Sequence, residues 1–163
     1  MITTKNVKYP LFHISFRGDL DGEWEPKLPD GTDLTKQTKY TETELPRICF
    51  SPSIEQCFQA VYPNISFYFE TKKFPYMDFY VYQLDTSVKV VTPDILTKER
   101  MVHDAHITGE HIAITKSQVN LIGKVRINNT AGCPDLHYHP YDDQKEPRLF
   151  LAPHNIQYVF KSL

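Results

Sequence analysis

Prolines recur along the whole chain, twelve of them against six glycines, and between them aromatic residues gather in short runs. Proline lacks a backbone donor and interrupts helix interiors and central strands, whereas tyrosine and phenylalanine favour strands. With 10 Tyr and 10 Phe among 163 residues, the expectation is a β-rich domain with long, stiff connections. The run from Tyr9 to Phe16, YPLFHISF, sets Leu11, His13 and Ser15 against Phe12, Ile14 and Phe16. That is the two-residue period of a half-buried strand.

A chain of this length buries roughly 68–70% of its unfolded surface, so it needs neither metal nor disulfide to hold a core. Repeats, low-complexity segments and linkers are absent from the sequence, which is read as one domain over residues 1–163. Eighteen Lys+Arg against 20 Asp+Glu leave a net charge of −2. This argues against nucleic acid as the main partner and leaves room only for a local basic patch. Cys49, Cys57 and Cys133 cannot all pair within one chain, and MITTKNVKYP holds no apolar signal core, so the expectation is a reducing cytoplasm. The apolar runs Ile65 to Phe69 and Phe79 to Tyr82 fall far short of the ~18–20 residues that span a bilayer, and no membrane partner is expected.

Along the chain, the polar stretch from Arg17 to Pro46 reads as a long connection, followed by a short strand over Arg47 to Ser51. Ser51 or Ser53 is placed to cap a helix marked by Ile54, Phe58 and Val61. Beyond Pro63, the runs Ile65 to Glu70 and Met77 to Leu84 read as neighbouring strands around the turn TKKFPY. A short strand over Val88 to Val91, helical turns within Pro93 to His103, and strands over His111 to Ile114 and Val119 to Ile127 follow. A loop from Asn128 to Pro147 and a closing strand over Gln157 to Lys161 complete the reading. The expected class is α+β, with a mainly antiparallel split β-sheet and few helices.

Several groups carry possible chemistry. His13, on a strand beside a long polar loop, is either a ligand-binding imidazole or a core histidine bonded to a backbone carbonyl. His103, Asp104 and His106, with His137 and His139, hold ligand types suited to zinc, nickel or iron. None has the i, i+4 spacing of a zincin and no cysteines form CxxC, so no metal is expected. His13-Ile-Ser15 and His106-Ile-Thr108 also match the twin His-x-Ser/Thr elements of 2H phosphoesterases, whose two histidines act as acid and base. Cys49 and Cys57 flank a helix start, where thiols are either activated or simply small core residues. Glu110 follows Gly109 at the opening of a strand, beside a loop.

Three segments, in order, resemble the ADP-ribosyltransferase superfamily, in particular its poly(ADP-ribose) polymerase and diphtheria-toxin-like branch. LFHIS from Leu11 is similar to the strand whose histidine holds the NAD ribose, and His13 falls on that histidine. RICFSPSIEQCFQA from Arg47 resembles the strand and helix that floor the nicotinamide pocket, and GEHIAITKSQVNL from Gly109 resembles the segment with the catalytic glutamate, which falls on Glu110. The resemblance implies NAD as a substrate rather than a metal cofactor, and an acceptor that is a protein, a nucleic acid, a small molecule or water. It implies Glu110 and His13 as the catalytic pair, with Ser15, Arg47, Cys49, Ser51, Cys57 and Tyr62 around the nucleotide; Arg17 or Arg47 would meet its phosphates. Here Ile14 stands where the family has glycine, Cys49 and Ala60 where it has tyrosines, and Cys57 where it has a serine. Tyr62 is placed to supply the stacking ring. A fold of this kind without transfer activity, which binds a nucleotide or a protein, is the second reading, and a phosphoesterase using His13 and His106 the third.

Overall fold

The computed structural model describes residues 1–28, 45–102, 104–129, 134–138, 147–151 and 157–163, with the backbone alone at 62–64, 66–67, 134–138 and 147–151. The chain is α+β, and every strand pairing described is antiparallel.

The larger sheet is built on two long strands, β4 (Tyr76–Leu84) and β6 (Ser117–Asn128), paired from Tyr76↔Asn128 to Leu84↔Val119 with a bulge between Val81 and Tyr82. β1 (Phe12–Ser15) flanks β4 with His13 opposite Tyr82. The other edge of β6 is shared: β2 (Gly22–Trp24) pairs with its first residues, and β9 (Tyr158–Ser162) with Gly123 to Ile127. A smaller sheet joins β3 (Ile48–Phe50) to β5 (His111–Ala113), and β7 (Pro134–Tyr138) pairs with β8 (Pro147–Leu151).

Alternation along the strands sends apolar residues to both faces of the larger sheet. Met77, Phe79, Val81, Val125 and Ile127 face helix α1 (Ile54–Thr71), which buries Cys57, Phe58, Ile65 and Phe69 against them. The opposite face contributes Tyr82, Leu84 and Val119 to a second core with Ile48, Phe50 and Ala113 of the small sheet. Beyond it, Ile112 packs with Leu96 of α2 (Pro93–Lys98) and Ala105 of α3 (Ala105–Thr108).

Ser53, extended at φ −143° and ψ 159°, caps α1 by accepting from the Gln56 N–H at 3.2 Å, as its position in the sequence predicts. The sequence reading is corrected beyond Pro63. Ile65 to Glu70 is not a strand but the end of α1, which runs through Pro63 to Thr71. Proline removes one rung of the helix ladder. The buried residues Phe58, Ile65 and Phe69 nonetheless recur at helical spacing on one face, and their burial carries the helix past it. Further differences are smaller. The connection after Arg17 contains β2; Val90 and Val91 form isolated bridges rather than a strand; α3 and β8 have no counterpart in the sequence reading; the expected loop after Asn128 contains β7; and the last strand begins at Tyr158.

Phe58 is fully buried and meets the Phe79 ring edge-on, with centroids 5.6 Å apart, at the contact between α1 and the larger sheet. Phe58→Ala is expected to cost about 3–5 kcal/mol, read as a lower urea midpoint with an unchanged slope.

Candidate functional site

Where the sheets meet, the Phe12 N–H donates to the Ser51 carbonyl and the Ser51 N–H to the Phe12 carbonyl, both at 2.8 Å. This bridge brings β1 of one sheet beside β3 of the other. Around it lies a cavity of about 290 Å³ whose wall includes His13, Arg47, Cys49, Ser51, Cys57 and Glu110. A neighbouring cavity of about 700 Å³ shares His13, Arg47 and Cys49 and extends over Trp24 and Leu28.

The half-buried His13 ring places Nδ1 2.9 Å from the Cys49 carbonyl oxygen. A carbonyl only accepts, so the proton sits on Nδ1 and Nε2 keeps its lone pair. Burial lowers the imidazole pKa, and the bond to Cys49 opposes that shift without cancelling it. The ring is neutral near pH 7. Trp24 packs edge-on to it, with centroids 5.0 Å apart and planes at 86°.

Glu110 is held from both sides. α3 ends at Gly109, whose φ of 62° is left-handed and whose N–H returns to the Ala105 carbonyl. The Glu110 N–H bonds the same carbonyl at 3.2 Å. His111 Nδ1 lies 2.7 Å from the Gly109 carbonyl and, by the same logic as at His13, donates to it; Nε2 then accepts from the Tyr9 hydroxyl at 2.7 Å. His111 is 2% exposed, and burial lowers its pKa as well.

The register Cys49↔Ile112 and Phe50↔His111 leaves Glu110 one step beyond the end of the ladder, diagonal to Cys49. The Glu110 carboxylate bears electrostatically on the Cys49 thiol. Burial first, and then that carboxylate, push the thiol pKa well above its ordinary value, and Arg47, which bears on the same sulfur, offsets only part of this. Burial also pushes Cys57 up to about 12, a shift that neighbouring Ser51 opposes, and the thiol donates to the Phe12 carbonyl at 3.3 Å. Both thiols are protonated near pH 7. They are not poised as nucleophiles.

His13, Arg47, Cys49, Ser51, Cys57 and Glu110 thus share one cavity. Ser15 is set apart, its hydroxyl accepting from the Arg17 N–H at 3.1 Å. Arg17 lines the larger cavity but pairs with Asp19 at 2.9 Å. Tyr62 and His137 are described by backbone alone, and His103, Cys133 and His139 lie outside the described residues. His106 is exposed on α3 rather than on a strand, and it is not among the residues that line either cavity with His13. Among the described residues no group of three or more His, Cys, Asp or Glu is arranged to hold a metal ion, and no helix is long and apolar enough to cross a membrane. Sequence reasoning missed Trp24 and His111, and it named Asp104 only as a possible metal ligand, whereas Asp104 lines the smaller cavity. Trp24 is the chain's lone tryptophan in a stretch without periodicity, and its rarity was the one available signal. No family model, no curated protein and no solved structure matches the chain.

Two predictions follow from this geometry. His13 and His111 have lowered folded-state pKa values, so the unfolded chain binds protons first as pH falls. Their contribution is fully present above the unfolded value of 6.5 and is lost below it. Urea midpoints are expected to drop between pH 7.5 and 5.5, and less steeply in His13→Gln and His111→Gln. The carboxylates of Asp78 and Asp94, which are lowered from 3.8, act at more acidic pH and do not obscure that window. At Gly109, a Cβ would lie 2.4 Å from Gln56 Nε2 and 2.9 Å from Pro52 Cδ on a backbone that already disfavours L residues. Gly109→Ala is expected to cost at least about 1 kcal/mol and to displace Glu110; an unchanged urea midpoint would count against that account.

Proposed function

We propose that the chain is an ADP-ribosyltransferase-like enzyme that consumes NAD, transferring ADP-ribose to an acceptor or to water. The observation that carries this reading is the convergence on one cavity of residues from all three segments that resemble the superfamily: His13, then Cys49, Ser51 and Cys57, then Glu110. A dinucleotide needs two linked compartments. The larger cavity, which shares His13, Arg47 and Cys49 with the smaller one, supports a nicotinamide ribose in the small space and the remainder of the molecule beyond it.

In this reading the bond between C1′ of the ribose and the nicotinamide nitrogen breaks. The electron pair leaves with the ring, whose positive charge is neutralised, and oxocarbenium charge develops on the sugar. Glu110, held at a fixed position by Gly109 and His111, accepts a ribose hydroxyl and stabilises that charge electrostatically. His13 accepts the other hydroxyl at Nε2, a role available only to the neutral ring with its proton on Nδ1. The acceptor adds to C1′ and releases its proton to solvent. Cys49 replaces the family's tyrosine with a short side chain beside Glu110. Ile14, in place of glycine, sends its side chain into the core beside Phe58 and Val81. We place the activity in a reducing, cytoplasmic compartment, with Cys49 and Cys57 present as free thiols in support.

Incubation with NAD is expected to release nicotinamide, and Glu110→Gln to slow release by about 10²-fold or more while leaving NAD affinity within a few-fold. NAD binding without release by either protein would identify a nucleotide-binding domain that has lost transfer activity. Neither binding nor release would overturn the proposal.

A further inference from the structure

The face of the larger sheet that carries His13 runs on past the cavity into solvent. Because paired residues on antiparallel strands share a face, the registers define successive rows across it. Ser15, Tyr80, Lys124 and Lys161 form one row, Asp78, Arg126 and Val159 the next, and Tyr76 and Asn128 the last. From Tyr80 to Tyr76 the rows extend about 14 Å at ~3.4 Å per residue. Behind them the sheet is filled by the α1 core; Tyr80, at the cavity end, packs against the second core with Gly18 over its ring, and the later rows are the exposed ones. Lys124, Arg126 and Lys161 are exposed, and Tyr76 is 43% exposed.

Two features of this face are costly for a surface with no partner. Lys124 and Lys161 stand directly opposite each other across β6 and β9, an arrangement that destabilises a sheet. Three cations share one carboxylate, Asp78, which Arg126 engages through two bonds of 2.7 and 2.8 Å. Lys124 and Lys161 act electrostatically on that same carboxylate, which places all four groups together. The patch carries three positive charges against one negative, a surplus of two on a chain whose net charge is −2. Aromatic rings are set among the cations: the Arg126 guanidinium lies 3.6 Å from the centroid of Tyr76, and Lys124 Nζ 5.1 Å from that of Tyr80.

We propose that this face binds single-stranded nucleic acid, with phosphates along Lys124, Arg126 and Lys161 and a base against the Tyr76 ring and its stacked guanidinium. An acidic peptide uses the cations but has nothing to stack on Tyr76, so the tyrosines favour a nucleic acid over a peptide. The overall negative charge, which argues against nucleic acid when averaged over the chain, does not govern a patch whose own charge is positive and which salt screens from the rest beyond about 10 Å.

The test is fluorescence anisotropy with a labelled twelve-residue oligothymidylate, alongside a labelled glutamate-rich peptide of equal length. Three phosphate contacts on a single strand give a log–log salt slope of about −2, so binding is expected to weaken roughly 15-fold between 50 and 200 mM salt. Tyr76→Ala is expected to weaken it at least about 5-fold. Lys161→Gln is expected to weaken it several-fold while raising the urea midpoint, because it relieves the pair with Lys124; loss of binding through misfolding would move the midpoint the other way. Glu110→Gln, which stands in none of these rows, is expected to bind like the parent, which keeps the outcome independent of the NAD reading. No binding at 50 mM salt, equal binding of the peptide, or unaltered affinity in both Tyr76→Ala and Lys161→Gln would overturn the proposal.

Discussion

Two backbone hydrogen bonds between Phe12 and Ser51, each 2.8 Å long, are the constraint on which the rest of the molecule depends. They join the sheet built on β4 and β6 to the sheet of β3 and β5, which share few other ladder contacts among the described residues. With that join in place, His13 on one sheet reaches the Cys49 carbonyl on the other at 2.9 Å. Without it the imidazole and the Glu110 carboxylate would belong to separate surfaces. A second stitch, Val91 to Ile112 at 2.8 and 3.1 Å, holds the far edge of the small sheet, so that sheet is clamped along both sides.

The apolar interior between the sheets makes these few bonds effective. Tyr82 is fully buried, and its hydroxyl donates to the Arg17 carbonyl at 2.7 Å while accepting from the Leu20 N–H at 3.1 Å. A buried hydroxyl left unpaired would be costly; paired in this way, it ties down the chain between β1 and β2. Trp24 follows from that tie. Its indole N–H donates to the Leu20 carbonyl, and its ring lies against His13, Phe50 and Tyr82. Part of the cavity wall is therefore set by a tyrosine on the sheet rather than by the loop's own sequence.

Much of this was legible in the sequence, for identifiable reasons. β1, β4 and the start of α1 carry local signals: strict alternation in the strands, and for the helix a serine cap ahead of apolar residues at helical spacing. His13, Cys49 and Glu110 could be assigned to strands or their ends for the same reason. The helix past Pro63 was not legible, because the penalty of a proline is local, about 3 kcal/mol, while the compensation comes from burying Ile65 and Phe69, each worth about 1.5–3 kcal/mol. Those two residues reach their partners only in the folded chain. β2 was missed because three residues contain no period, and its pairing with Gln118 and Val119 is decided by β6. His111 reads as one more polar residue in a strand. Its role depends on Tyr9, 102 positions away.

Both ends of the His13 face follow one electrostatic rule, although they look opposite. At the enclosed end, burial favours uncharged forms, so the imidazole is neutral and the thiols of Cys49 and Cys57 keep their protons. Arg47 and Glu110 line that end as well, and both bear on the Cys49 thiol, Glu110 raising its pKa and Arg47 lowering it. At the open end, solvent lowers the cost of charge, and Lys124, Arg126 and Lys161 can crowd together at modest expense. The contrast is one of solvation: charge is concentrated where water is plentiful, and protons are retained where burial is deep. The gradient arises from β4 itself, which runs from the exposed Tyr76 to the buried Leu84 and so carries one strand from solvent into the interior.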